Sequence, residues 1–165
     1  MNLSADNLSA LATLVGARLR EQEMLLATAE SCTGGWVAQA VTAIAGSSDW
    51  FERGFVTYSN AAKMEMLQVK ANTLHAHGAV SEQTASEMAA GALAHSHAHI
   101  AVAITGIAGP AGGSPDKPVG TVCFAWARTN RKVSAETRHF SGDRESVRRQ
   151  SVVVALQGIL AALED

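Results

Sequence analysis

Hydrophobic positions change their spacing along this chain, and each change marks an element. Leu8, Leu11, Val15 and Leu19 recur at helical intervals, which predicts an amphipathic helix from Ala5 to Gln22 with Ser4 as its cap. The β-prone run from Met24 to Ala29 predicts a strand, stopped by the polar turn Glu30-Ser-Cys-Thr-Gly-Gly35. A second helix is expected from Gly35 to Ala45. Phe55, Val56, Thr57 and Tyr58 place a strand within Phe51 to Ser59, and Asn60 reads as the cap of a short helix ending at Leu67. After a loop holding His75 and His77, Ser81 caps a helix whose buried face is Ala85, Met88, Ala89, Ala92 and Leu93. Side chains that small allow close packing against a sheet or a partner subunit.

His99 to Thr105 is a nearly continuous apolar run, as expected of a strand covered on both faces. Residues 106–118 carry too much Gly and Pro to continue any element. Val119 to Ala127 and Lys132 to Phe140 read as neighbouring strands joined at Arg128-Thr-Asn-Arg131. Asp143 to Leu163 reads as a long terminal helix with Val152, Leu156, Ile159, Leu160 and Leu163 facing inward; Asp143 and Glu145 suit its N-terminal dipole. The elements predict one α/β domain over residues 1–165, a three-layer α/β/α sandwich around a mixed, mostly parallel sheet.

Charge and composition narrow the function classes. Thirteen Lys and Arg against 15 Asp and Glu give a net charge of −2, so there is no electrostatic footprint for nucleic acid or an anionic membrane. Cys32 and Cys123 are far apart and fit neither a disulfide framework nor a metal-ligand spacing. The first residues lack the basic start and apolar core of a signal peptide, and no apolar run reaches membrane-spanning length. A soluble, cytoplasmic protein with reduced thiols is expected.

Three segments place glycines and polar residues at a strand's carboxyl end: Glu30 to Gly35, Tyr58 to Lys63, and Thr105 to Gly113. If these strands are parallel neighbours, the loops meet in one crevice, where open α/β sheets bind ligands. Ser31 is a nucleophile candidate or a plain N-cap; Cys32 beside it is a rival nucleophile or a buried filler. Lys63 is a surface lysine unless an apolar pocket holds it, in which case it can serve as base to a serine hydroxyl. Tyr58 would relay a proton, orient the lysine, or simply pack. Arg144 and Arg148 stand one helical turn apart; Arg148 and Arg149 read as solvated charges, Arg144 as a grip for phosphate or carboxylate. His95, His97 and His99 diverge where a helix gives way to a strand and have no acidic or thiol neighbour, so no metal site is expected. The 106–113 loop lacks the phosphate-loop signature and reads as the rigid wall of a pocket.

Six ordered motifs carry a family resemblance. They are Glu30-Ser-Cys-Thr-Gly-Gly35; Gly54-Phe-Val-Thr-Tyr-Ser-Asn60 with Lys63; Gly78-Ala-Val-Ser81; Thr105-Gly-Ile-Ala-Gly-Pro110 with Gly112 and Gly113; Lys117-Pro-Val-Gly-Thr-Val122; and Phe140-Ser-Gly-Asp-Arg144. Together they resemble the CinA C-terminal domain family, and within it the stand-alone amidase branch. The resemblance implies an α/β/α fold, a homodimer, no cofactor or metal, and a role in pyridine-nucleotide recycling. Its reaction is hydrolysis of the carboxamide of nicotinamide mononucleotide to nicotinic acid mononucleotide and ammonia. It also implies that Ser31 and Lys63 are the working pair, with Tyr58 beside them. Substrate contacts are expected at Thr33, Gly34, Gly35, Asn60, Thr105, Gly106, Gly109 and Arg144, the glycine-rich backbone and Arg144 facing the oxyanion and phosphate. The rival reading is a non-catalytic domain on the same fold that binds a pyridine nucleotide or a protein partner.

Overall fold

Large and small side chains alternate along the central strands, and that alternation decides which helices lie on which face. In a strand, successive side chains point to opposite faces. Leu26, Ile100, Val102, Ile104, Val122, Phe124 and Trp126 point one way, while Ala27, Ala29, Ala101, Ala103, Cys123, Ala125 and Ala127 point the other. The computed structural model describes residues 5–164. Its elements are α1 (Ala5–Glu21), β1 (Leu26–Glu30), α2 (Trp36–Thr42), a 3-10 turn (Ser47–Asp49), β2 (Phe51–Val56), α3 (Asn60–Leu67) and α4 (Ala71–His77). They continue with α5 (Glu82–Ala94), β3 (Ile100–Gly106), β4 (Thr121–Arg128), β5 (Ser134–His139) and α6 (Arg144–Glu164).

The large-residue face is covered by α1, α2 and α6, and the alanine face by α5 with the end of α3. The alanine side chains let α5 lie close to the sheet. Gly91 does the same for α3: a Cβ there would sit 2.0 Å from the Leu67 carbonyl oxygen. The result is the expected α/β/α sandwich. The sheet order is β2-β1-β3-β4-β5, with β1 parallel to both β2 and β3, and β4 antiparallel to both its neighbours. Among the described residues no helix is long and apolar enough to cross a membrane.

Several boundaries differ from the expected ones, each for a local reason. The first strand begins at Leu26, not Met24, because Glu23 takes a left-handed backbone (φ 55°) and the Met24 N–H folds back onto Leu19 O. It also runs on through Glu30, which therefore belongs to the strand and not to the turn. Ser59, not Asn60, caps α3: Ser59 is extended and its Oγ accepts the Ala62 N–H at 3.0 Å. His75 and His77 lie on helix α4, not in a loop. Ser81 caps α5 as expected, accepting the Thr84 N–H at 3.1 Å. The proposed cap Ser4 lies outside the described residues.

Register then brings the chemistry together. Glu30 pairs with Val56 on one side and Ile104 on the other, so the next residues, Ser31, Thr57 and Thr105, come level at one edge of the sheet. The Ser31 N–H extends the ladder to Ile104 O, and the Thr57 N–H to Glu30 O.

Candidate active site

The turn after β1 owes its shape to Glu30. Its side chain projects to the α2 side of the sheet and is fully buried. Oε1 accepts the Thr33 hydroxyl at 2.6 Å and the Val37 N–H at 2.9 Å, and Oε2 accepts the Ala38 N–H at 3.1 Å. The positive end of α2 is thus capped by a carboxylate from within the chain, and Gly35, the cap residue by position, supplies no side chain. Gly34 and Gly35 both have positive φ (61° and 107°), which lets the chain reverse from strand to helix in so few residues. Ser31 is therefore not the cap of α2. It stands on the strand side of the turn, its carbonyl accepting the Gly34 N–H at 3.0 Å.

Lys63 meets Ser31 from α3. Long side chains on a helix lean toward its N-terminus, and Lys63, one turn into α3, leans back over the end of β2. Its Nζ lies 3.0 Å from Ser31 Oγ, 2.7 Å from Thr57 O and 3.3 Å from Tyr58 O. Only 1% of Lys63 is exposed, and among the described residues no carboxylate forms an ion pair with it. Burial lowers its pKa from the ordinary lysine value, opposed in part by Cys32. The Cys32 thiol, also buried, is pushed up to about 12 by desolvation, the Arg148 charge offsetting it only partly. A thiol so placed carries very little thiolate at neutral pH, which argues against Cys32 as nucleophile.

A cavity of about 270 Å³ opens over this pair. Ser31, Cys32, Tyr58, Lys63, Thr105, Gly106, Gly109 and Arg144 line it, together with Ala79, Val80 and the intervening glycine-rich loop. Thr105 Oγ1 donates to Ala79 O at 2.8 Å and ties β3 to the segment before α5. The loop is held as a wall. Ile107 N–H donates to Thr121 O and Gly120 N–H to Ile107 O, and Arg144 Nη1 donates to Gly109 O at 2.7 Å. Arg144 Nη2 also donates to the Tyr58 hydroxyl at 3.2 Å, so these two residues form one rim of the cavity, with Tyr58 63% exposed. Thr33, Gly34, Gly35 and Asn60 stand outside the lining.

Arg148 is not a solvated charge. From α6 its Nε donates to Cys32 O at 3.0 Å and its Nη2 to Thr33 O at 3.2 Å, with the guanidinium 5.5 Å from the Trp36 ring centre. Arg149 also lies over Trp36, at 5.1 Å. The spacing of Arg144 and Arg148 was a signal for this, since residues four apart share a helix face. Nothing in the sequence said which carbonyls that face would meet. Two of the histidines meet backbone: His95 Nδ1 lies 2.8 Å from Gly91 O, and His99 Nδ1 accepts the Leu25 N–H at 2.9 Å.

Residues 8–163 match the CinA C-terminal domain. The chain is 54% identical over 155 residues to the nicotinamide-nucleotide amidohydrolase PncC of Escherichia coli strain K12, covering 94% of each. It is 52% identical to the protein of the same name from Pseudomonas putida, covering 94% of this chain and 96% of that one. Among solved structures, the competence/damage inducible protein CihA from Agrobacterium tumefaciens superposes with a TM-score of 0.92 at 47% identity, covering 96% of both chains.

Proposed function

This chain belongs to the CinA C-terminal domain family, and we propose that it is a nicotinamide-nucleotide amidohydrolase converting nicotinamide mononucleotide to nicotinic acid mononucleotide and ammonia. The names of its relatives support the class of reaction. One observation carries the mechanism: the amine of Lys63 is buried among three oxygens, two of which can only accept. A neutral amine has two N–H groups and one lone pair. With the N–H groups given to the Thr57 and Tyr58 carbonyls, the lone pair is left facing the Ser31 hydroxyl. Burial favours this neutral form.

Ser31 Oγ attacks the carboxamide carbon while Lys63 takes the hydroxyl proton. The tetrahedral anion then collapses, the C–N bond breaks, and Lys63 returns the proton to the departing nitrogen, which leaves as ammonia. The acyl ester on Ser31 is cleaved by water that Lys63 deprotonates, and the proton returns to Ser31 Oγ. Tyr58 contributes through its carbonyl, which fixes Lys63, and through its ring at the rim. Arg144, beside it, is the cation offered to the nucleotide's phosphate. The first α2 amides have no part in holding the oxyanion, because Glu30 accepts the Val37 and Ala38 N–H groups and Thr33 O accepts that of Trp36. The Gly34 N–H is likewise spent on Ser31 O. Turnover within pyridine-nucleotide recycling, a cytoplasmic location and a homodimeric state belong to the same proposal.

The test is ammonia release from nicotinamide mononucleotide by purified protein with a chelator present, alongside Ser31→Ala, Lys63→Ala and Cys32→Ala. Wild type and Cys32→Ala are expected to turn over. Lys63→Ala is expected to fall by about 10²- to 10⁴-fold, the usual worth of a positioned base, and Ser31→Ala at least as far. Saturable nucleotide binding without ammonia release by the wild type would instead favour a sensor on the same fold.

A further inference from the structure

We propose that Lys117 is a positioning residue that fixes the apolar side of the cavity as a slot for the substrate's flat pyridine ring. The inference rests on the nicotinamide-nucleotide reading above. Between α4 and α5 the chain has no regular structure, yet three successive carbonyls at this junction are each held by side chains. His77 O accepts from Lys117 Nζ at 2.6 Å. Gly78 O accepts from Ser81 Oγ at 3.0 Å and Thr84 Oγ1 at 2.7 Å, and Ala79 O from Thr105 Oγ1 at 2.8 Å. The donors come from the loop before β4, from α5 and its cap, and from β3. What they hold in place is Ala79 and Val80, half of the apolar lining of the cavity.

The other half, Ile107 and Ala108, lies on the glycine-rich loop. That loop runs out through Gly109 and returns through Lys117 to Val119, and its two limbs touch. A Cβ on Gly109 would stand 2.4 Å from Val119 Cγ1, and one on Gly113 would stand 2.7 Å from the Val119 nitrogen. Lys117 is fastened within the returning limb, its N–H donating to Ser114 Oγ and its carbonyl accepting the Ser114 N–H. Its ammonium reaches the last carbonyl of α4, where the helix dipole favours a cation. Gly78 leaves room for it, since a Cβ there would lie 3.3 Å from Nζ. Among the described residues no carboxylate forms an ion pair with this lysine.

One charge-assisted hydrogen bond therefore joins the two segments that make the apolar side. Pockets of this kind bind through apolar walls and orient through a few polar groups. A pyridine ring lying on Val80 and Ile107 presents its carboxamide to Ser31 and its phosphate to Arg144. Lys117 itself stands outside the lining and touches neither the Ser31–Lys63 pair nor the reacting atoms.

The experiment compares wild type, Lys117→Met, Lys117→Arg and Lys132→Met in steady-state ammonia release from nicotinamide mononucleotide. The Kd of that nucleotide is measured by calorimetry for the same set carrying Ser31→Ala, so binding is read without turnover. Lys117→Met is expected to raise KM and Kd about 10-fold, the affinity equivalent of one hydrogen bond to a charged group. Its kcat should stay within about twofold, as for a loss of uniform binding. Lys117→Arg keeps a donor at the same reach and should recover most of the affinity. Lys132→Met removes an exposed lysine between β4 and β5 and should match wild type. The Lys117→Met defect should persist in about 0.5 M NaCl, which screens the long-range attraction of a cation for the phosphate.

A KM and Kd within about twofold of wild type in Lys117→Met would overturn the inference. So would a kcat that falls as far as KM rises, an arginine variant no better than methionine, or a defect that vanishes in high salt. Nucleotide binding without ammonia release by wild type would sink the amidase reading, while the Kd values still decide the role of Lys117. Absence of nucleotide binding by the Ser31→Ala parent would remove the slot altogether.

Discussion

Glu30→Ala strands three donors at once, and its cost is calculable from the structure. The Val37 N–H and the Thr33 hydroxyl are fully buried and lose their acceptor, while the Ala38 N–H is half-buried and can turn to water. An unsatisfied buried donor costs about 1–3 kcal/mol, so the two buried ones together cost roughly 4 kcal/mol. The N-terminus of α2 also loses an anion, worth about 1 kcal/mol. Against this, the protein no longer dehydrates a carboxylate, which returns roughly 2 kcal/mol. The net loss is about 3 kcal/mol. With a urea slope of about 2 kcal/mol per molar, the unfolding midpoint should fall by roughly 1.5 M. Glu30→Gln retains one oxygen for the Thr33 and Val37 donors and should lose about half as much. Urea titration followed by far-UV circular dichroism measures both. A Glu30→Ala midpoint within about 0.25 M of wild type would show that the carboxylate does not hold this turn.

Two further outcomes follow from other buried groups. Because burial lowers the Lys63 pKa and the proposed base is its neutral amine, kcat/KM should rise with pH through a midpoint below the ordinary lysine value of about 10.4 and be lost as pH falls; a midpoint at or above that value in a pH-rate profile would contradict the buried-base mechanism. Thr28 Oγ1 is buried with no hydrogen-bond partner among the described residues, so Thr28→Val should stabilise the fold by about 1 kcal/mol; calorimetry showing a destabilised variant would mean that the hydroxyl has a partner.

The elements were legible in the chain because their signals are local. Helical spacing from Leu8 to Leu19 marked α1, the apolar run before Thr105 marked β3, and Ser81 marked the start of α5. What local pattern misplaced was set by bonds between distant residues. Glu30 looks like a turn residue until β2 and β3 pair on either side of it. Asn60 and Ser59 are equally good caps on paper, and backbone angle chose Ser59. Helix α4 carries no buried face strong enough to announce itself.

The sequence by itself determined the parts: an α/β sandwich, three polar loops after three strands, and a Ser, a Lys and an Arg in recognisable motifs. Tertiary structure decided which of these parts meet. Parallel pairing in one register placed Ser31 level with Thr57, and the lean of Lys63 along α3 closed the remaining distance to 3.0 Å. The same pairing sent Glu30 to the α2 side, where the chain's own carboxylate closes the helix end. Arg148 found the carbonyls of a turn more than 100 residues upstream. Such contacts depend on where whole elements pack, and no spacing within one element encodes that.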